Sequence, residues 1–213
     1  MVKTMKKIKQ FKSKKNKVFL VKNHGDFMVL KEFRTIEQYN KEKKFYEILQ
    51  RENIPLPLMI NVNSHEKTIL YEYLDSTNGV NIIEDLERSN NKEACVAFLI
   101  KIYEWLKSFH SVPYIKDHNL CFYDLNFRNF LFYKNQLYGI DLESINQGDL
   151  TLDLGKMLAM YLYYDEIKSK FKLRVFKSFK EYIIEEGEIV SQELDFIIKK
   201  EEACIKTRRH IFY

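Results

Sequence analysis

The stretch CFYDLNFRNFLFYKNQLYGIDLES, residues 121 to 144, carries the side chains whose types and spacing could do chemistry. Asp124 and Asn129 are five apart with Arg128 between them. An apolar run follows from Phe130 to Tyr133, and after a turn at Lys134 to Gln136 a second run ends in Asp141 and Glu143. Polar groups therefore hang from the ends of strands whose other residues ask for burial. Pairing of the two runs as a hairpin brings the start of FLFY near the end of LYGID, which predicts Asn129 and Asp141 as neighbours. A carboxylate and an amide oxygen so placed could hold a hard cation such as Mg²⁺, which takes oxygen ligands and completes its shell with phosphate and water. Asp124, at the other end of the loop, would be free to orient or deprotonate a hydroxyl. The competing reading is an ordinary hairpin whose Asp and Asn serve as turn and cap residues.

These residues need elements to position them. Three short strands are expected in the first 34 residues, from IKQF, VFLVK and FMVLKEF, with a turn at Asn23, His24, Gly25 and Asp26 closing a hairpin. Lys31 lies inside the otherwise apolar FMVLKEF, and a charge in a buried strand is costly unless paired. Its partner comes from the next element. Thr35 with Gln38 three residues on is a capping signature for a helix running to about Gln50. On that helix Tyr39, Tyr46 and Leu49 form one stripe, and Glu42 falls inside it while Glu37 and Glu47 do not. Lys31 and Glu42, both facing inward, explain each other. The alternative makes Lys31 a strand-end lysine reaching water and Glu42 a surface charge.

After a proline-containing connection, TILYEYL reads as a strand, Asn81 to Arg88 as a short helix, and KEACVAFLIKIYEWLKSFH as a central buried helix with its stripe at 95, 98, 99, 102, 105, 106 and 109. His110 near its end is read as solvated or stabilised by the helix dipole. His65, His118 and His210 are scattered singly and suggest no zinc site. LDLGKMLAMYLYY is expected as a buried helix capped by Asp153, followed by two amphipathic helices from FKLRVFKSFKEYII and SQELDFIIKKEEACI.

Asp124-x4-Asn129 followed by Asp141 resembles the catalytic loop and metal-binding Asp of the protein-kinase-like fold, in particular its small-molecule branch, the aminoglycoside phosphotransferase and choline kinase group. IDLES is similar to that branch's Asp-x-Glu, and Asp153 in LDLGK sits where the group carries a second Asp; as the alternative to a helix cap, the resemblance implies that Asp153 is linked to the catalytic loop. The resemblance implies an α+β, two-lobed fold. Residues 1–75 would be a small antiparallel sheet plus one helix that binds nucleotide, and residues 76–213 a mostly helical lobe with the catalytic loop. It further implies ATP and Mg²⁺ as cofactors, with transfer of a γ-phosphoryl group to a hydroxyl. Asp124 would be the base, and Asn129 and Asp141 the metal ligands. Lys31 and Glu42 match the pair that holds the nucleotide phosphates, and the main chain of Glu72 to Leu74 would meet an adenine. Ser13, in the loop KSKKNK, would contact phosphate, with Arg128, Glu143 and Asp153 in support. Two departures stand out: Gly25 is the only glycine before Gly79, so the phosphate loop has no G-x-G-x-x-G, and Phe122 replaces the His usually two residues before the catalytic Asp.

Only eleven residues separate Asp141 from Asp153, too short for the peptide-docking segment of protein kinases, and Glu143 stands where they have the Gly of Asp-Phe-Gly. The acceptor expected from this is a small molecule or a saccharide. The Asp124-Leu125-Asn126 run also resembles kinases of lipopolysaccharide sugars. A reading from another class is an inactive kinase-like binding module that uses its basic N-terminal part to hold an anionic partner.

Charge is distributed unevenly. Residues 1–51 carry 15 Lys and Arg against 5 acidic residues, residues 52–140 carry 8 against 11, and residues 141–213 carry 12 against 14. Such an N-terminal excess could attract phosphate, an anionic substrate or, peripherally, a membrane surface. No aromatic-plus-basic signature of nucleic-acid binding is present. Glu185, Glu186 and Glu188 could suit a cationic acceptor or form a solvated helix end. No run of 18 apolar residues occurs, and the lysines of the N-terminus precede no apolar signal core, so a cytoplasmic protein without membrane spans is expected. Cys95, Cys121 and Cys204 are odd in number and widely spaced, which argues against disulfides and for three small core hydrophobes in a reducing compartment.

Overall fold

The computed structural model describes residues 5–13, 15–187 and 189–209; Glu188 and His210 lie outside the described residues. In chain order the elements are β1 (Lys6–Phe11), β2 (Lys17–Asn23), β3 (Asp26–Glu32), α1 (Ile36–Arg51), β4 (Met59–Asn63), β5 (Thr68–Glu72), β6 (Thr77–Asn78), α2 (Gly79–Arg88), α3 (Lys92–Ser111), α4 (Pro113–Asp117), β7 (Leu120–Cys121), β8 (Phe130–Tyr133), β9 (Gln136–Gly139), β10 (Asn146–Gln147), α5 (Leu150–Leu162), α6 (Lys170–Glu185) and α7 (Ser191–Arg209). They group into two units. One comprises the chain up to Ser76 together with Tyr133–Glu143, and the other comprises Thr77–Phe132 with the chain from Ser144 onward. Tyr133–Glu143, which the sequence assigns to the second lobe, thus packs with the first unit.

The first unit is built on an antiparallel sheet in the order β1-β2-β3-β5-β4. Between Asn23 and Asp26, His24 and Gly25 both take positive φ, 51° and 104°, which closes β2 onto β3 with a two-residue turn. The strand β4 is absent from the sequence reading. It follows the Pro55-Leu56-Pro57 connection, and as an edge strand it leaves Ile60 and Val62 exposed, so it lacks the burial pattern that marks a strand. Helix α1 is capped by Thr35, whose Oγ1 accepts from Gln38 N at 3.2 Å. It buries Tyr39, Glu42, Phe45, Tyr46 and Leu49, and the Tyr46 ring packs on Tyr71 of β5 with centroids 4.8 Å apart.

The second unit is helical. Central helix α3 buries Cys95, Phe98, Leu99, Ile102, Tyr103, Trp105, Leu106 and Phe109. Trp105 lies against Phe109, Phe122 and Phe130, with centroids 5.8, 5.2 and 5.6 Å away. An aromatic side chain fully removed from water contributes about 1.5–3 kcal/mol, so this cluster is a main anchor of the segment that leads into Asp124. Cys95 and Cys121 are buried, and burial pushes the Cys95 thiol up to about 12. Cys204 is exposed on α7, contrary to its assignment as a core residue: the apolar stripe of that helix runs through Leu194, Ile198 and Ile205 instead. No helix among the described residues is long and apolar enough to cross a membrane.

Candidate functional site

In the first unit the predicted pair forms. Lys31 Nζ donates to Glu42 Oε1 and Oε2 at 2.9 and 2.8 Å and to Asp141 Oδ1 at 2.6 Å. Glu42 is held from two further sides, by the Tyr71 hydroxyl at 2.9 Å and the Glu143 N–H at 3.2 Å. Burial alone would lower the Lys31 pKa, but the carboxylates of Glu42, Asp141 and Glu143 outweigh it and raise the ammonium above its ordinary value, so it is charged at neutral pH. Burial raises Glu42 from the ordinary carboxylate range, against the pull of Lys31. Asp141 takes φ 70°, in the left-handed region that non-glycine residues visit rarely and mostly where function or packing demands it.

Glu143 is 7% exposed. Its Oε2 accepts from Asn16 Nδ2 at 2.6 Å and stands 3.9 Å from Lys31 Nζ. Its Oε1 is buried and accepts no hydrogen bond from the described residues, and the ammonium of Lys15 is 3.8 Å from it. Glu42, Asp141 and Glu143 can bring one carboxylate oxygen each to within 4.8 Å of one another. A buried oxygen without a donor, beside a second carboxylate, is a set that a hard cation such as Mg²⁺ fits. Glu42 is already engaged by three donors, so Asp141 and Glu143 are the oxygens with capacity to spare.

Ser13 is exposed in the β1–β2 loop. Glu72 is bound to Leu58, the residue before β4: its N–H donates to Leu58 O at 2.9 Å, and its Oε1 accepts from Leu58 N at 2.7 Å. That N–H is therefore taken, which removes it from the groups expected to meet an adenine. Leu74 is buried, and its carbonyl accepts from Ser76 N at 2.8 Å.

The second unit fixes the loop that carries Asp124 and Asn129. Asp153 is fully buried on α5 and accepts from Phe122 N and Tyr123 N, both at 2.8 Å, while His110 Nε2 lies 2.9 Å from its Oδ2. Two sequence expectations are corrected here. The cap of α5 is Asp149, whose Oδ1 accepts from Leu152 N at 2.9 Å; the helix starts earlier than LDLGK suggests, which turns Asp153 inward in the first turn. His110 is the partner of Asp153 rather than a solvated or dipole-stabilised residue. Tyr123 adopts φ 72°, a conformation that the bond to Asp153 helps to hold.

Beyond Tyr123, Asn129 Nδ2 donates to the Asp124 carbonyl at 3.0 Å, so its Oδ1 points elsewhere. Among the described residues the Asp124 carboxylate accepts from Asn126 N, at 3.4 Å. The Tyr164 hydroxyl accepts from Phe127 N at 2.9 Å and donates to Asn126 Oδ1 at 3.0 Å. Arg128 is exposed, its N–H on Asn126 Oδ1 at 3.0 Å. Gly79 is required beside this loop because a Cβ there would lie 2.7 Å from the Phe127 carbonyl. Sequence reasoning missed Asn16, Tyr71 and Tyr164; each is a single polar residue in a loop, strand or helix end, and no local pattern marks it.

Lys31, Glu42, Asp141 and Glu143 thus share the first unit, and Asp124, Asn129, Arg128 and Asp153 the second. No family model matches the sequence, and no curated protein matches it. Among solved structures, an ethanolamine kinase from Plasmodium vivax matches 91% of this chain and 70% of its own, with a TM-score of 0.57 and 14% identity. At that identity the likeness speaks to the fold, and the α+β arrangement of an N-terminal antiparallel sheet followed by a helical part is kinase-like.

Proposed function

We propose that this chain is an ATP- and Mg²⁺-dependent phosphotransferase that moves the γ-phosphoryl group of the nucleotide to a hydroxyl of a small molecule or saccharide. The observation that carries the reading is the buried lysine. Lys31 is 7% exposed and held at 2.6 to 2.9 Å by Glu42 and Asp141, an expensive arrangement that makes sense if its ammonium serves phosphate oxygens. In this reading Glu42 fixes Lys31, and Asp141 and Asn129 hold the metal with Glu143 in support. The main chain near Leu74 meets the adenine, and Ser13 and Arg128 lend polar contacts. Asp124, whose carboxylate accepts a long hydrogen bond from Asn126 N, takes the proton of the acceptor hydroxyl. Asp153 keeps the Asp124 loop in place. Mg²⁺, when bound, neutralises charge on the phosphates. The fold neighbour acts on ethanolamine, so small amino alcohols are the first acceptors to screen and saccharides the second.

The test is the thermal midpoint with and without ATP and Mg²⁺, on the native chain and on Asp141→Asn. A ligand present at a hundred times its Kd stabilises by about 2.7 kcal/mol, which for a chain of this size is a rise of about 5–10 °C. The expected result is such a rise in the native chain, dependent on the metal and lost in Asp141→Asn. No rise in either protein would overturn the reading and leave a binding module whose partner is sought with the lysine-rich sheet.

A further inference from the structure

A phosphate-covering loop ordinarily depends on glycines, which let the backbone approach the anion closely. The β1–β2 loop here has none, and carries Lys12, Ser13, Lys15 and Asn16 among its described residues. Lys12 and Lys15 are exposed, whereas Asn16 is 6% exposed. Both ends of the Asn16 amide are used. Nδ2 donates to Glu143 Oε2 at 2.6 Å, and Oδ1 accepts from Arg34 N at 3.3 Å. The loop is therefore fastened to the segment after Asp141 and to the entrance of α1.

The fastening is continuous with the lysine cluster. Glu143 N–H donates to Glu42 Oε2, and Glu42 receives Lys31, which also holds Asp141. Beside Asn16, the ammonium of Lys15 sits 3.8 Å from the other Glu143 oxygen, with its side chain half exposed. We propose that Asn16 is a positioning residue that latches the glycine-free loop to Glu143, so that Lys15 is carried by the loop to the phosphates of a bound Mg-nucleotide. The latch replaces close backbone approach by a fixed side-chain cation. A charge-assisted hydrogen bond to a buried carboxylate suits that task, being shorter and stronger than a neutral one. The inference rests on the nucleotide-binding reading.

The test is isothermal titration of Mg-ATP into the native chain, Asn16→Ala, Lys15→Ala and the double variant, with circular dichroism and ligand-free thermal midpoints recorded for each. Asn16→Ala should raise Kd about tenfold. Lys15→Ala should raise it several-fold in the native background and leave it unchanged in the Asn16→Ala background, because an unlatched loop no longer presents Lys15. A merely structural asparagine would lower the ligand-free midpoint and let the Lys15 effect add in full. Equal Lys15 effects in both backgrounds, or a native Kd in Asn16→Ala, would overturn the latch. Should Asn16→Ala fail to fold, Asn16→Ser, which keeps a donor but shortens its reach, takes its place in the same cycle. Failure of the native chain to bind Mg-ATP would remove the functional reading and the latch with it, whereas native binding with an additive cycle removes the latch alone.

Discussion

In the first unit a cation is surrounded by anions: Lys31 is shared by Glu42 and Asp141, with Glu143 at 3.9 Å. In the second a carboxyl group is met by main-chain donors and a ring: Asp153 receives two main-chain N–H groups and faces one imidazole. The difference is in what each arrangement permits. A lysine on a flexible stem with several carboxylates can change partners when an outside ion arrives, since an ammonium is a point charge with rotatable donors. An aspartate bound to consecutive main-chain N–H groups cannot move without moving the chain. The first arrangement suits binding an exchangeable ligand, and the second suits holding the loop that carries Asp124 still.

The sharpest way to break this comparison is to separate chemistry from binding. Asp124→Asn should lower turnover by about 10²–10⁴-fold, the usual worth of a positioned base, while the Mg-ATP thermal shift stays at the native value. Asp141→Asn should abolish the shift, and turnover with it. Loss of the shift in Asp124→Asn would mean that the second unit contributes to nucleotide binding as well, and the division of labour would fail.

Next in size is the cost of removing each hub. Asp153→Ala removes a fully buried carboxylate, leaves the buried Phe122 N–H and the part-buried Tyr123 N–H without their acceptor, and frees Tyr123 from its left-handed conformation, so unfolding free energy should fall by about 3 kcal/mol in urea titration. Lys31→Met is expected to cost less, about 2 kcal/mol against the roughly 3–5 kcal/mol of a wholly orphaned buried charge. Glu42 would keep its bonds from Tyr71 and Glu143 N–H, and Asp141 is partly solvated. The Lys31 contribution also has a pH signature. Its pKa in the folded state is raised above the ordinary 10.5, so the stabilisation is fully present below about pH 10.5 and is lost as pH rises through the raised value. The native-minus-Lys31→Met difference should be flat from pH 7 to 10 and shrink above that. A difference that grows with alkalinity would contradict the ion-pair account.

The two regions also differ in how far the sequence disclosed them. Lys31 in an apolar strand and Glu42 within an apolar helical stripe each break a periodic pattern, and two breaks of opposite charge imply one another. The aspartate network breaks no pattern. His110 ends a helix, where a polar residue is ordinary, and Asp153 next to a leucine run imitates a cap until the true cap, Asp149, is located. Side-chain bonds to main-chain N–H groups across 30 residues leave no trace in local periodicity. The sheet was legible except for β4, because an exposed edge strand behind two prolines carries little of the burial pattern by which strands are recognised. Asn16 was invisible for the same reason as Tyr164: its partners lie far away in sequence, and neither residue type is unusual where it stands.

Tyr164 allows the finest test. Its hydroxyl joins Phe127 N to Asn126 Oδ1, after Asp124 in the chain, whereas the Asp153 contacts are at residues 122 and 123 before it. Burial pushes the phenol up to about 12, so it remains a protonated donor throughout the physiological range. Tyr164→Phe keeps the ring packed near Phe127 and deletes only the hydroxyl, for which a loss of about 1 kcal/mol is expected. If loop rigidity matters to catalysis, turnover should drop a few-fold with Mg-ATP affinity intact, and the ratio of variant to native rates should be flat from pH 6 to 9. If only the stability changes and turnover is native, the Asp153 contacts alone fix the loop, and the second unit's rigidity rests on one hub rather than two.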